Sequence, residues 1–185
     1  DRLETRVAVG AALARAKPDL LASLTSDENL QLAEQILVSE ILYHDGKTEE
    51  ALERLADLAQ GERLAQEFVL SQQARIHRRE ENWPQAVEFL ERLVDLLWAD
   101  GSRYAGQLVR IHERTQELEK ALHWAKRWRE LSPGLQAAWT KEADLLVGLQ
   151  EPEKAVEVLR QAVRKFDSKT LVAKLAGLHQ RLHQL

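Results

Sequence analysis

Histidines, carboxylates and arginines are the side chains of this sequence that could do chemistry, and their spacing limits which chemistry. His179 and His183 stand one helical turn apart, but two imidazoles make only half of a zinc site and no third ligand has a fixed place beside them. No H-E-x-x-H string supplies one. His77 and His112 lie 35 residues apart. They fall at equivalent places in a recurring pattern, which suits helix-packing histidines better than acid–base catalysts. Asp and Glu are scattered over unrelated helical registers, with no pair set apart across a pocket as glycoside hydrolysis requires. No serine has a readable base, and no glycine-rich loop could cradle a phosphate. The absence of cysteine removes disulfides, thiolate metal sites and cysteine nucleophiles. The sequence therefore predicts no enzyme activity, no metal site and no cofactor.

The bulk composition narrows the partners. Over 185 residues, 26 Lys and Arg face 30 Asp and Glu, a formal charge of −4 that argues against nucleic-acid binding by the chain as a whole. With 44% hydrophobic and 30% charged residues, the chain has the mixture of a folded domain rather than of a disordered one. No apolar run approaches the roughly 18 residues of a membrane helix. The first residues lack the pattern of a signal peptide, and methionine is absent even at position 1. A segment cut from a longer protein is the expectation. Only four prolines and eight glycines interrupt a Leu- and Ala-rich sequence, so helix is predicted nearly throughout.

The elements that must position these side chains repeat. The segments EEALERLADLA, PQAVEFLERLV, EKALHWAKRWR and EKAVEVLRQAV align on Ala51, Ala86, Ala121 and Ala155, at intervals of 35, 35 and 34 residues. Leu55, Leu90, Ala125 and Leu159 follow four residues later, and Leu58, Leu93, Trp128 and Ala162 three beyond those. This is one apolar helical stripe opening on a small residue, as a close helix crossing requires. Upstream, at a constant offset, stand the compact residues Ser39, Ala74, Val109 and Ala143. The unit is thus a pair of antiparallel helices. Helices are predicted near 28–44, 48–60, 63–79, 84–98, 102–115, 118–131, 135–148, 152–166 and 169–183. Pro84 and Pro152 suit first turns, while Gly46 and Pro133-Gly134 suit connections. The expected division is a partial preceding repeat plus a short inserted helix over 1–27 (helix over 3–17, a short one near 19–25), four helix pairs over 28–168, and a further first helix or cap over 169–185.

On these residues the chain resembles the tetratricopeptide repeat family. Trp139, Ala143, Leu146, Ala155, Leu159 and Ala162 match its motif in the unit starting at Gln136, and Trp128 and Pro133 close the unit before. The units from Leu32 and Glu67 are more degenerate. The resemblance implies an all-α, right-handed superhelical solenoid whose first helices line a concave groove. Carried onto this chain, groove positions fall on Ala33, Ile36, Glu40, Tyr43 and His44, then Phe68, Ser71, Arg75, Arg78 and Arg79, then Arg103, Gly106, Arg110, Glu113 and Arg114, then Ala137, Thr140, Asp144, Val147 and Gly148. Six arginines there point to an acidic peptide or protein partner, since guanidinium pairs with carboxylate through two hydrogen bonds. Nucleic acid is disfavoured by the short patch and the lack of an aromatic row.

The cadence ALHWAKRWRELSP followed by AWTKEADLLVGLQEPEKAVEVLRQAV also resembles the repeat arrays of Pel-type outer-membrane exopolysaccharide export proteins. That likeness implies a periplasmic scaffold for biofilm secretion, with a polymer-modifying enzyme or neighbouring repeats as partner. Two other readings stand beside it: a structural solenoid spacer or self-association module, and a cytoplasmic adaptor for an acidic tail. For the self-association module the interface would be the stripe Leu171, Leu175, Leu178 and Leu182 of the last helix. Of five tryptophans, Trp128 and Trp139 are assigned to packing, whereas Trp83 and Trp98 near helix ends and Trp124 beside His123 are candidates for partner anchors, with nothing in the sequence to choose among them.

Overall fold

The computed structural model describes residues 32–58 and 63–182; the helices expected at 3–17 and 19–25, the first turn of the next helix, and His183 lie outside them. The helices are α1 (Leu32–His44), α2 (Thr48–Leu58), α3 (Arg63–Arg79), α4 (Trp83–Leu97), α5 (Ser102–Arg114), α6 (Leu118–Leu131), α7 (Gln136–Gly148), α8 (Pro152–Lys165) and α9 (Lys169–Leu182). A 3₁₀ turn, Trp98–Gly101, stands between α4 and α5. No strand occurs among the described residues, and within each of two units the helices pack as antiparallel neighbours. The described ends lie within about two residues of the predicted ones because the same signals set both, as with Pro152 in the first turn of α8.

The chain forms two compact units, Asp1–Phe89 and Leu90–Leu185, divided within α4. In the first, α1 packs on α2 and α2 on α3, burying Ile36, Val38, Ile41, Leu55, Val69 and Ile76. In the second, each helix from α5 to α9 packs on the next. Its core holds Val109, Ala125, Trp139, Leu146, Leu159 and Leu171. The aligned alanines Ala51, Ala86, Ala121 and Ala155 are all fully buried. A larger side chain at any of them would hold a helix off its neighbour and forfeit dispersion contacts along its length.

The turn within each pair is the same structure four times. Gly46, Glu81, Gln116 and Gln150 have positive φ of 81°, 55°, 61° and 62° and recur at the alanine interval. Each left-handed residue donates to the carbonyl three back, and its successor donates to the carbonyl five back, as in Lys47 N to Leu42 O (2.9 Å) and Glu117 N to His112 O (2.8 Å). This is the Schellman cap, which satisfies carbonyls the helix end leaves open. Glycine is at home there; the three side-chain-bearing residues crowd Cβ against the following carbonyl. Gln116→Gly and Gln150→Gly are each expected to stabilise the fold by about 0.5 kcal/mol, after the added chain entropy of glycine is subtracted. Urea unfolding midpoints at an unchanged m-value would verify the gain.

Candidate functional site

In the first unit the side chains expected in the groove are largely committed to the fold. Glu40 of α1 is buried and forms an ion pair with Arg75 of α3. Burial, with help from the neighbouring charge of Arg79, lowers the Arg75 guanidinium to about 10, so it stays cationic at neutral pH. Arg75 is thus a clamp between two first helices rather than a contact for a ligand. The Tyr43 hydroxyl donates to Glu80 Oε1 at 3.0 Å, and the Arg79 guanidinium lies 5.8 Å from the centre of its ring. Burial and the Glu80 carboxylate raise the phenol above its ordinary value. Arg78 and Arg79 are exposed at the last turn of α3. Phe68 and Ile36 correct the groove assignment: they pack together in the core with Leu58. Their phase on the helix points inward, and apolar burial outweighs any gain from display.

In the second unit, α5 exposes Arg103, Arg110 and Arg114. Spacings of seven and four residues set them along one side of the helix over roughly 16 Å at 1.5 Å per residue. Arg103 Nη2 donates to the Tyr104 hydroxyl at 2.7 Å, with its guanidinium stacked 4.7 Å from the ring centre. Arg110 Nε donates to Gly106 O one turn back, at 3.3 Å. Glu113 accepts from Lys141 Nζ at 3.0 and 3.1 Å, and Asp144 accepts from Lys174 Nζ at 2.7 Å. These pairs tie α5 to α7 and α7 to α9. Gly106 is no groove residue: it is buried, and a Cβ there would come within 3.0 Å of the Trp128 ring.

The leucine stripe of α9 is likewise folded inward. Leu171 and Leu178 are buried, and Leu175 and Leu182 pack partly buried against the same core. The outward side of α9 carries Val172, Ala173, Ala176 and Gly177 instead. The stripe that looked like an end interface is the face by which α9 joins α8.

One polar cluster was not foreseen. Arg129 Nε donates to Glu142 Oε2 at 2.5 Å, and the carboxylate is almost wholly buried. The same guanidinium lies 4.7 Å from the centre of the Trp139 ring, whose Nε1 donates to Pro133 O at 3.0 Å. Phe166 meets that ring edge-on at 6.3 Å. The signal was in the sequence: Glu142 shares the helical phase of Trp139, Leu145 and Leu146, so a carboxylate was due in the core and needed a cation.

The histidines behave as packing residues. His112 is buried with Nδ1 2.9 Å from Glu117 Oε2, to which Thr115 Oγ1 also donates at 3.0 Å. Hydrogen bonds from Lys120, His112 and Thr115 hold the Glu117 carboxylate at about 2, so it is ionised and His112 Nδ1 bears the proton it donates. Glu117 also lines a shallow depression of about 410 Å³ with Leu118, Lys120 and Leu149. His77 stacks on Phe89 with centroids 5.4 Å apart and an 11° tilt. Burial lowers its pKa from 6.5, partly offset by the Glu88 and Glu80 charges. Both shifts are downward, so both stabilising contributions are complete above the unfolded values and fade as pH falls. Stability is expected to decline first below about 6.5 through His77 and again between 4.5 and about 2 through Glu117. His77→Phe should flatten the upper step in a pH series of urea midpoints, and Glu117→Gln the lower.

No group of three or more His, Asp or Glu among the described residues could hold a metal ion. No helix of the described chain is long and apolar enough to cross a membrane. With the geometry in view, comparison identifies the class. Residues 69–103 match the tetratricopeptide repeat family. MamA of AMB-1 is similar over 93% of this chain and 97% of that one, with TM-score 0.61 at 15% identity. MamA from Desulfovibrio magneticus RS-1 matches over 91% and 97%, with TM-score 0.56 at 15% identity. The pilF protein of Pseudomonas aeruginosa matches over 96% and 84%, with TM-score 0.58 at 15% identity. No curated protein matches the sequence. The chain has a tetratricopeptide-like helical-repeat fold, and at these identities the likeness extends to the fold alone.

Proposed function

We propose that this chain acts first as a structural helical-repeat segment, a spacer that presents protein partners in fixed order and can associate with further repeats. The observation behind this reading is the set of ion pairs Glu40–Arg75, Glu113–Lys141 and Asp144–Lys174. They lie on the first helices, where a groove ligand would need free charge, and they are spent joining one repeat to the next. A second reading, favoured by the exposed row Arg103, Arg110 and Arg114, is a surface for an acidic protein or peptide, with Arg78 and Arg79 as a basic patch of the first unit. The likeness of residues 121–163 to exopolysaccharide export proteins supplies a setting for either: a periplasmic scaffold that meets a polymer-modifying enzyme. The cytoplasmic adaptor is the competing setting.

One experiment separates the two. Crosslinking pulldowns with the intact chain are compared with Arg78→Glu/Arg110→Glu after circular dichroism has shown matched helicity. For the spacer, the same partners are recovered by both. A partner lost at least tenfold from the variant alone would overturn the spacer and establish the arginine surface.

A further inference from the structure

Trp98 is the most exposed large hydrophobic residue among those described, at 68% of its surface. It is also held in a backbone conformation that disfavours it, with φ at +49°. Left-handed geometry crowds the Cβ of any L-residue, and a bulky one gains nothing from it in water. In the next repeat the equivalent position, 35 residues on, is Pro133. The chain thus retains an indole at a site where a small residue would relieve strain and exposure together.

The surroundings set the turn beneath that indole and place a cation over it. The 3₁₀ turn Trp98–Gly101 closes tightly: a Cβ on Gly101 would lie 2.9 Å from Val94 Cα and 3.0 Å from Val94 O. Only glycine allows this approach, so Gly101 sets the turn that displays Trp98. From α6, the Arg127 guanidinium covers one ring face at 5.3 Å from the centroid. Arg127 Nη1 also donates to Glu130 Oε2 at 3.3 Å, an exposed i,i+3 pair of small energetic weight. With 68% of its surface exposed, the indole keeps most of its area in solvent beside that guanidinium.

We propose that Trp98 and Arg127 form a preformed anchor for a short partner segment that sets a bulky apolar side chain on the exposed indole and a carboxylate on Arg127. An indole has only two rotatable side-chain bonds, and this one sits on a tightly closed turn, so it loses little entropy on binding. The acidic preference follows from the guanidinium, which a partner carboxylate reaches by displacing the weakly held Glu130. The size of the occupant follows from area. At most about 170 Å² of indole is on offer, well short of the roughly 800 Å² per partner of a stable protein dimer, so a segment of a few residues fits better than a second copy. This site stands apart from the arginines of α5 and does not rest on the roles proposed above.

The test is selection of a phage-displayed random dodecapeptide library on the intact chain, with counter-selection on Trp98→Ser. Peptides pairing Leu, Ile, Phe or Pro with a nearby Asp or Glu should be enriched. Their synthetic forms should bind at least tenfold more weakly to Trp98→Ser and Arg127→Gln, and with unchanged affinity to Arg110→Glu. Enrichment of basic peptides, binding indifferent to Trp98, or no enrichment would each overturn the proposal. Melting of Trp98→Asn supplies an independent arm. An anchor kept against strain predicts a midpoint raised by roughly 2 °C, whereas a fall of that size would show Trp98 to be a structural residue and sink the idea.

Discussion

Replacing Arg129 with Leu is expected to destabilise the protein by about 3 kcal/mol, because it strands the Glu142 carboxylate in the core without its cation. The pair is asymmetric. Glu142 is 3% exposed at its side chain and Arg129 is 27% exposed, so the arginine left alone in Glu142→Leu can turn toward water. That variant should therefore lose only about 1–2 kcal/mol, much of it the guanidinium's contact with Trp139. The double variant Arg129→Leu/Glu142→Leu should recover most of the loss, since buried ion pairs are commonly replaceable by apolar groups of similar volume. A double-mutant cycle in urea measures all three terms at once. Equal single losses, or a double variant as unstable as their sum, would show that the two groups act independently.

Gly106→Val is expected to cost about 3 kcal/mol by overpacking. The new Cβ would lie 3.0 Å from two atoms of the Trp128 ring, and branching at Cβ leaves few rotamers by which to avoid it. Trp128 cannot retreat easily, since it packs on the core of the second unit. The remedy lies on the partner: with Trp128→Leu, the valine should cost less than about 1 kcal/mol, because the smaller side chain vacates the contested volume. Urea midpoints of the four proteins decide it. A valine penalty that persists in the Trp128→Leu background would place the strain in the α5 backbone instead. The aligned positions of Trp128 are Leu58, Leu93 and Ala162, so this glycine–tryptophan pair is a local exchange of volume between two helices.

The two predictions bear on how much of this protein is legible in its sequence. Among the described residues, helix order and ends came through because they depend on local signals: periodicity, prolines at first turns, and alanines at a constant interval. The left-handed turn residues were half visible. Gly46 announced one, while Glu81, Gln116 and Gln150 take the same conformation without glycine because the flanking helices impose it. Site residues fared unevenly for one reason. A groove position borrowed from a repeat pattern gives the helix and approximate phase, but not whether a neighbour takes up the charge. Arg75 and Glu40 occupy such positions and neutralise each other. Phe68 and the α9 leucines fell on the wrong side of the surface because an apolar stripe looks the same whether it meets its own chain or another.

What the sequence determined by itself is therefore the alphabet of the fold. Local propensity and the 34–35-residue period specify antiparallel helix pairs, and the absence of catalytic or metal-binding constellations directs attention to surfaces. Only the tertiary structure decided which charges face solvent. It spent Glu113 on Lys141, Asp144 on Lys174 and Arg129 on Glu142, left Arg103, Arg110 and Arg114 exposed along α5, and set Trp98 on a strained turn beneath Arg127. The physical reason is range. Helix formation is settled by residues three and four apart, whereas desolvation and pairing of a charge depend on side chains from helices 13 to 35 residues away, which meet only when the pairs stack.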